Sequence, residues 1–554
     1  MAGLLSGLQT AGHALDVMEQ AMSVIQNNVA NASTPGYAAQ KLNISSVPFQ
    51  DGGGIQAGTV SSSRNQYAEQ SVQHQNSLLG TASQQAASLS SLQNIFNVTG
   101  KTGIPAALSN LYSAFSAWSA SPADATTQQQ VLTAAKGVAQ AFNSAASNIG
   151  QIQSQTDRQV TTTLNQINNL TSQIAGINQQ IRYSGPNDAG LQANLYNDLE
   201  QLSNLTSVDV QIESDGTATV LMAGQTPLVS GATQTQLQSS TSANGIAIMA
   251  NDQDVTSTLT DGQLAALVNF RNQTLPSVVG NATQPGTLNQ LAQAVASQIN
   301  SLLTSGQTAS GVSGLPLFVS SANYTINGQT VYVPPPTGQI ETLTFTTPSG
   351  ASVTATVNAG DKPPTVIAEI NEQTSALGIH AVLNQAGTGI TFQSDSAFSM
   401  SDTSTAPGIF SSSTGTYTAA TGASNAVAAT LSVNPLAGSD LAPAQVSGSA
   451  NGIASQLAQL GTATNPTLGM SYTDFYSDIA STIGSQESAA TTAQQTQTDL
   501  LTQAQNMRAQ VSGVSLNDQA AQLLQFQQAY QASSQLIQVI SSTMQYFMQA
   551  MQQI

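Results

Sequence analysis

The two ends of the chain carry apolar residues at alternating steps of three and four, and this spacing is typical of a coiled-coil helix. Near the N-terminus the seam contains, besides Ala11, the residues Leu4, Leu8, Leu15, Met18, Met22, Ile25 and Val29. Near the C-terminus it contains Leu523, Phe526, Tyr530, Ile537, Ile540, Met544, Phe547 and Met551, with Gln519 and Ser533 as polar interruptions. One apolar stripe does not offset the entropy of ordering a lone helix, so each end needs a partner, and we expect these apolar seam residues to form the subunit interface.

The composition limits what those partners are. Only 6% of the 554 residues are charged, and 27 acidic against 9 basic residues give a net charge of -18. Nucleic acid and anionic membrane surfaces bind clustered Lys and Arg, so neither is an expected partner. The sequence also predicts no cleavable signal peptide and no membrane-spanning segment. After Asp518 no charged residue occurs, so shape and not salt bridges must select the partner of the C-terminal helix.

The pattern along the chain predicts an α+β multidomain fold. We expect 1–50 plus 511–554 to form a terminal core of paired coiled-coil helices. The heptads continue inward, which predicts a long helical-bundle domain over 51–305 plus 446–510. Its small β part near 206–255 begins with a hairpin at 208–222, where Asp215-Gly216 supplies the turn. Between 306 and 445 the composition becomes rich in Gly, Ser, Thr and Pro, which predicts an inserted β-rich outer domain.

The sequence shows no motif that is typical of catalysis or metal binding. The histidines His13, His74 and His380 are far apart in sequence, and the chain has no cysteine for thiolate chemistry or a zinc site. No H-E-x-x-H or G-x-S-x-G motif occurs. We therefore expect no enzyme activity, no cofactor and no catalytic, metal-binding or cofactor-binding residues. The heptads themselves more often form the core of a bundle than a functional surface, so their position at the extreme ends matters.

Short motifs follow the first helix and lie within the last. The segment Ala30–Tyr37 resembles the A-N-x-x-T-P-G-Y signature of the flagellar rod, hook and hook-associated axial proteins, and Gly513–Asp518 and Phe526–Ser533 resemble that family's C-terminal segments. The matched family-motif residues are Asn31, Thr34, Pro35, Gly36, Tyr37, Gln528, Ala529 and Tyr530. The first two segments adjoin the predicted terminal helices, and Phe526–Ser533 lies within the last one.

Within this family the chain is most similar to the hook-associated members. Asp261–Arg271 resembles their G-x-L-x-G-x-L-x-F-R segment. The chain departs from them at 195–200, where Asn197 and Leu199 stand in place of the acid and the arginine of L-x-D-x-R-D. Any ion pair that those residues form in the family is therefore in question here.

The resemblance implies a structural subunit, outside the cell, that joins hook to filament at their junction. It implies export by the flagellar type III apparatus, self-association, contact with the hook protein and a second junction protein, and a cytoplasmic export chaperone bound to the C-terminal helix. It also implies that the terminal helices order on assembly. Two alternatives stay open: a hook or distal rod protein, and a secreted surface adhesin built on the β-rich insert.

Overall fold

The computed structural model describes residues 2–48, 53–96, 102–242, 245–281, 284–320, 324–384, 387–394, 396–404, 408–410, 414–419, 426–446 and 448–552. Over these residues the predicted α+β fold class is confirmed, with long helices at both ends and small antiparallel sheets between them. No helix in this part of the chain is long and apolar enough to cross a lipid bilayer.

The terminal helices pack against each other. Helix α1 (Ala2–Ala30) and helix α13 (Leu516–Gln552) run antiparallel, because Gly7 lies beside Ile540 while Asn28 contacts Gln519. Strands β1 (Gln40–Val47) and β2 (Gly54–Ser62) form an antiparallel hairpin that packs on α1. We call α1 and α13 together the terminal helix pair.

The bundle contains one helix that spans two separate runs of apolar heptads. Helices α2 (Gln66–Gln93) and α12 (Tyr472–Ser512) pack along each other, and α3 (Gly103–Ala120) packs on α4 (Ala125–Ser184). The heptad runs at 131–152 and 160–181 belong to this one 60-residue α4. It begins at Asp124, whose carboxylate accepts a hydrogen bond from the Thr126 N–H, and ends at Gly185, where φ is +91°.

The first half of α4 contributes to a helical core around the fully buried Trp118 and Phe142. Its other helices include α3, α12, α8 (Thr287–Thr304) and α11 (Gly452–Gln459). The second half contributes to another core, formed with α5 (Ala189–Leu205) and α6 (Gln263–Asn269). A π-helical turn, Phe270–Thr274, leads from α6 into α7 (Leu275–Val279).

Two small sheets complete the second core. One contains β3 (Val208–Ile212), β4 (Ala218–Met222), β5 (Thr226–Ser230) and β6 (Thr233–Gln234) in that order, and the other β7 (Leu237–Ser242), β8 (Gly245–Ala250) and β9 (Gln253–Asp254). The hairpin predicted at 208–222 is β3–β4, in which Val208 pairs with Met222 and Ile212 with Ala218.

Two short strand pairs lie where the insert leaves and rejoins the bundle. They are β10 (Gly306–Gln307) with β20 (Ala444–Gln445) and β11 (Phe318–Val319) with β19 (Ser432–Val433). The outer part contains β12 (Tyr324–Asn327), β13 (Glu341–Thr346), β14 (Ser352–Val357), α9 (Pro363–Thr374), β15 (Ile379–Leu383), β16 (Ile390–Ser394), β17 (Ser399–Asp402) and β18 (Gly415–Thr418), and α10 (Val427–Thr430) follows. The sheet orders are β12-β16-β15 and β14-β13-β17-β18, around a core of its own. The domain boundaries given above stay predictions.

Candidate functional site

The terminal helix pair meets along a heptad seam on α13. Every residue of this seam is buried or half-buried, whereas most residues between its positions are exposed; in order they are Gln519, Leu523, Phe526, Tyr530, Ser533, Ile537, Ile540 and Met544. The two polar residues that interrupt the apolar pattern therefore lie on the contact face. Ser533 Oγ, for example, contacts Met18 Sδ at 3.9 Å.

On α1 most of the predicted seam is half-buried, and Ile25 is fully buried. Val17 and Ala21 are buried as well, in a small core shared with Leu42 of the hairpin. Two predicted seam residues lie elsewhere: Val29 is 46% exposed and Phe547 is 49% exposed. Met551 is in the last turn of α13, and its side chain lies outside the part that the structure describes.

Large apolar side chains of the terminal helix pair also remain exposed, and they are Leu5, Val29, Leu516, Leu524, Leu536, Val539, Tyr546, Phe547 and Met548. Among them Leu536, Val539 and Tyr546 recur at steps of three and seven, so they share one open side of α13. Scattered exposed apolar residues are normal, but three that share one side of a helix with no charge after Asp518 indicate a surface that another protein covers. The contacts within the chain therefore bury only part of the apolar surface of α13.

Near the end of α1 a buried amide ties several segments together. Asn28 is 1% exposed, and its Nδ2 donates to the Gln519 side-chain oxygen at 3.0 Å and to the Gln40 carbonyl at 2.8 Å. Its Oδ1 accepts from the Tyr37 hydroxyl at 2.9 Å and from the Gln40 N–H at 2.8 Å. Burial raises the pKa of Tyr37, so the phenol stays protonated and donates.

The family-motif residues after α1 form a turn that docks on α5. Asn31 accepts hydrogen bonds from the Thr34 N–H at 3.0 Å and the Thr34 hydroxyl at 3.2 Å, and the Tyr37 N–H bonds the Thr34 carbonyl at 3.1 Å. At Gly36 φ is +73°, and a Cβ there would lie 2.2 Å from the Ala193 carbonyl oxygen. Only glycine fits that position. Pro35 is exposed in the same turn.

The C-terminal motif residues sit on the middle of α13. Gln528 is exposed, whereas Ala529 and Tyr530 are half-buried beside the seam. At the start of the helix, Ser515 accepts a hydrogen bond from the Asp518 N–H at 3.4 Å, as expected of an N-terminal cap.

The terminal helix pair is attached to the bundle through Ser512, the last residue of α12. Its carbonyl accepts from the Ala39 N–H at 2.9 Å, and its hydroxyl accepts from the Asn65 N–H at 3.0 Å. Both segments that flank the hairpin are thus held against the turn between α12 and α13. We call this contact region the joint.

Beside the joint lies a network of charged side chains that the sequence did not reveal. Glu69, only 5% exposed, pairs with Arg64 and, at 3.1 Å, with Arg508, which also pairs with Glu200 at 2.7 Å. The Arg64 guanidinium donates to the Gly36 carbonyl and lies 3.7 Å from the centre of the Tyr196 ring. The segment 195–200 thus forms an ion pair through Glu200 even though Asn197 and Leu199 cannot.

The motif at 261–271 also has a structural explanation. Arg271, 7% exposed, donates to the Asp157 carboxylate at 2.8 Å and so ties the π-helical turn to the middle of α4. At Gly262 φ is +94°, and a Cβ would lie 2.4 Å from Thr206 Cα. Both residues fix how α6 sits against its neighbours.

Comparison with known proteins gives a consistent picture. Residues 89–318 match the family described as the flagellar hook-associated protein FlgK helical domain, and residues 8–37 match the flagella basal body rod protein family. The second match covers most of α1 and the turn that ends at Tyr37.

Curated relatives carry the same description. Flagellar hook-associated protein 1 of Bacillus subtilis is 24% identical over 39% of this chain and 46% of its own length. The protein of that name from Salmonella typhimurium is 24% identical over 55% of this chain and 57% of its own length, and the Escherichia coli protein is 22% identical over 76% of each. The chain thus spans about half the length of the first two relatives.

A solved structure shares the fold. The flagellar hook junction protein FlgK from Burkholderia pseudomallei superimposes with a TM-score of 0.51 and 19% identity, covering 79% of this chain and 99% of the other. The paired terminal helices, the motif turn and the rod-family match are features that resemble those of flagellar axial proteins. Together with the helical-domain match and the curated relatives, they make the chain similar to the flagellar hook-associated protein 1 (FlgK) family.

Proposed function

We propose that this protein is a structural subunit of the external flagellum and that it joins the hook to the filament. The observation that carries the proposal is the terminal helix pair, which ends the chain with an apolar side left open. The matched relatives are named for the hook, and the superimposed structure is titled a hook junction protein. The proposed role is structural and not enzymatic.

The open side of α13 supports assembly as the event that completes the fold. Leu536, Val539 and Tyr546 are 51%, 62% and 74% exposed. Burying each such side chain against a neighbour returns roughly 1.5–3 kcal/mol. The helices are therefore only partly stabilised within one chain, and neighbouring subunits supply the remainder. The neighbours proposed are further copies of this chain, the hook protein and a second junction protein.

The same open side suits a chaperone before export. An amphipathic helix with an exposed apolar stripe binds in the groove of a partner, and α13 has this form. We propose that a cytoplasmic export chaperone covers this stripe until the chain leaves through the flagellar type III apparatus. The chaperone and the neighbouring subunits would then occupy one surface in succession.

Gene deletion and a stripe variant together test the proposal. Deleting the gene should leave hooks without filaments and flagellin in the medium, whereas loss of a hook or rod protein leaves no hook. Complementation with Leu536→Asp/Val539→Asp should fail, because two carboxylates would face the neighbouring subunit. The matched control, Gln531→Asp/Gln538→Asp, adds the same charges at exposed polar positions of α13 and should restore swimming. Full motility of the stripe variant would contradict assembly through this surface.

A further inference from the structure

The seam between α1 and α13 does not fix its own register. Apolar side chains recur every heptad on both helices, so sliding one helix by seven residues again places apolar groups opposite each other. Charged pairs beside a seam usually exclude such slipped forms, but α13 has no charge after Asp518. The joint holds the two helices at one end, but within the seam the apolar residues alone leave the register undetermined.

We propose that the buried Asn28–Gln519 pair is the register determinant of the terminal helix pair. Asn28 uses both donors and both acceptors of its side-chain amide, two of them on the Gln40 backbone, which fixes the orientation of the amide. Gln519 is 8% exposed, so its side-chain oxygen also depends on this contact. Asn28 and Gln519 are positioning residues in this proposal.

Sliding the helices breaks this pair without offering a replacement. In the observed antiparallel arrangement Asn28 lies opposite Gln519, and Gly7 opposite Ile540. A shift of one heptad one way brings Phe526 opposite Asn28, and a shift the other way brings Ala21 opposite Gln519. Each shift leaves a buried amide without its hydrogen-bond partner, and such a group is costly to bury. A single buried polar pair in an apolar seam is known to specify register in coiled coils.

A slipped pair would present the open side of α13 to its neighbours in the wrong position, so the register matters for the proposed function. Only this effect on assembly rests on the proposed function. The register itself is a property of one chain and can be measured apart from motility.

A cysteine competition measures the register directly, since the natural chain has no cysteine. Three substitutions are introduced into the full chain: Met18→Cys, Ser533→Cys and Ile540→Cys. The thiol at position 18 bonds position 533 in the observed register, where the native side chains touch at 3.9 Å, and position 540 after a one-heptad slip. Positions 533 and 540 are about 10 Å apart on one helix and cannot bond each other.

The purified chain is equilibrated in a glutathione redox buffer and the two disulfides are quantified by peptide mass spectrometry. Chains with unpaired helices form both bonds to a similar extent, so a slipped register is reported by a rise of the 18–540 bond at the expense of the 18–533 bond. We expect the 18–533 bond to exceed the 18–540 bond by at least tenfold. In the Asn28→Leu/Gln519→Leu background the ratio should fall at least fivefold. A companion chain with Phe526→Cys in place of Ile540→Cys reports slip in the other direction.

The matched control, Asn27→Leu/Gln522→Leu, adds the same side chains at exposed positions of the two helices and should keep the parent ratio. In a variant that merely loosens the pair the 18–533 bond falls while the 18–540 bond does not rise, and this result would overturn the proposal. Absence of a preference in the parent chain would also overturn it. Neither result bears on the role at the junction, which the swimming and deletion phenotypes test separately.

Discussion

Removing the Glu69 carboxylate should release the joint while leaving the bundle cores folded. In Glu69→Ala the Arg64 and Arg508 guanidinium groups lose their shared partner. Deleting one member of a buried ion pair costs ~3–5 kcal/mol. Arg508, however, keeps Glu200 at 2.7 Å, and Arg64 keeps the Gly36 carbonyl and the Tyr196 ring. We therefore expect a loss of about 2–3 kcal/mol in the free energy that holds the joint closed.

Hydrogen exchange followed by mass spectrometry measures this loss of free energy at the joint itself. The Ala39 and Asn65 amides both donate to Ser512, so peptides containing them report opening of the joint. A loss of 2–3 kcal/mol corresponds to exchange about 30- to 150-fold faster. Peptides around Phe142 in α4 should be unchanged, and Glu19→Ala, at an exposed position of α1, serves as the control. An acceleration below about fivefold would refute the view that this network holds the joint.

Other positions give further tests. Burial raises the pKa of Glu341 in the folded protein to about 7, above the value of about 4.5 in the unfolded chain. The contribution of the protonated carboxyl to stability is therefore lost as pH rises from about 4.5 through 7. Glu341→Gln should remove about 3 kcal/mol of this pH dependence, seen as a flatter curve of the melting temperature of the insert against pH. His380, whose burial lowers its pKa to about 4, titrates in both proteins and cancels in the comparison. Phe142→Ala should destabilise the first helical core by ~3–5 kcal/mol in denaturant unfolding. Asn178→Ala leaves the backbone N–H and carbonyl of Ala218 without their side-chain partner and should cost about 2–4 kcal/mol, measured by exchange of the β4 peptide.

Hydrophobic periodicity predicted the helices well wherever the repeat stayed apolar, and it failed where polar residues occupy the seam. In α4 the apolar repeat has a gap between Ile152 and Val160, where Thr156 is 3% exposed and its hydroxyl donates to the Ile152 carbonyl at 2.9 Å. Gln519 and Ser533 interrupt the terminal seam in the same way. A buried hydroxyl or amide with its partner present is stable in a core, but the sequence does not show that partner.

The charged network at the joint was beyond prediction for another reason. Glu69 and Arg508 are 439 positions apart in sequence, so no local pattern connects them. The departure from the family motif at 195–200 concealed a pair that the chain makes through Glu200 and Arg508. The ends of the chain come together only through tertiary packing, and contacts of this range are the ones that sequence spacing leaves undetermined.

Two kinds of polar group therefore stabilise the terminal region, each in a different place. Charged side chains, which make up only 6% of the chain, form the network where the joint meets the bundle, and there the fold is closed within one subunit. The helix pair beyond the joint contains no Lys or Arg in either helix, and its internal contacts depend on amides, hydroxyls and shape. Uncharged contacts are little affected by salt, unlike exposed ion pairs. In the proposed function α13 binds a chaperone inside the cell and neighbouring subunits outside it, and such a surface would benefit from this property, because the two environments differ in ionic composition while apolar complementarity stays the same.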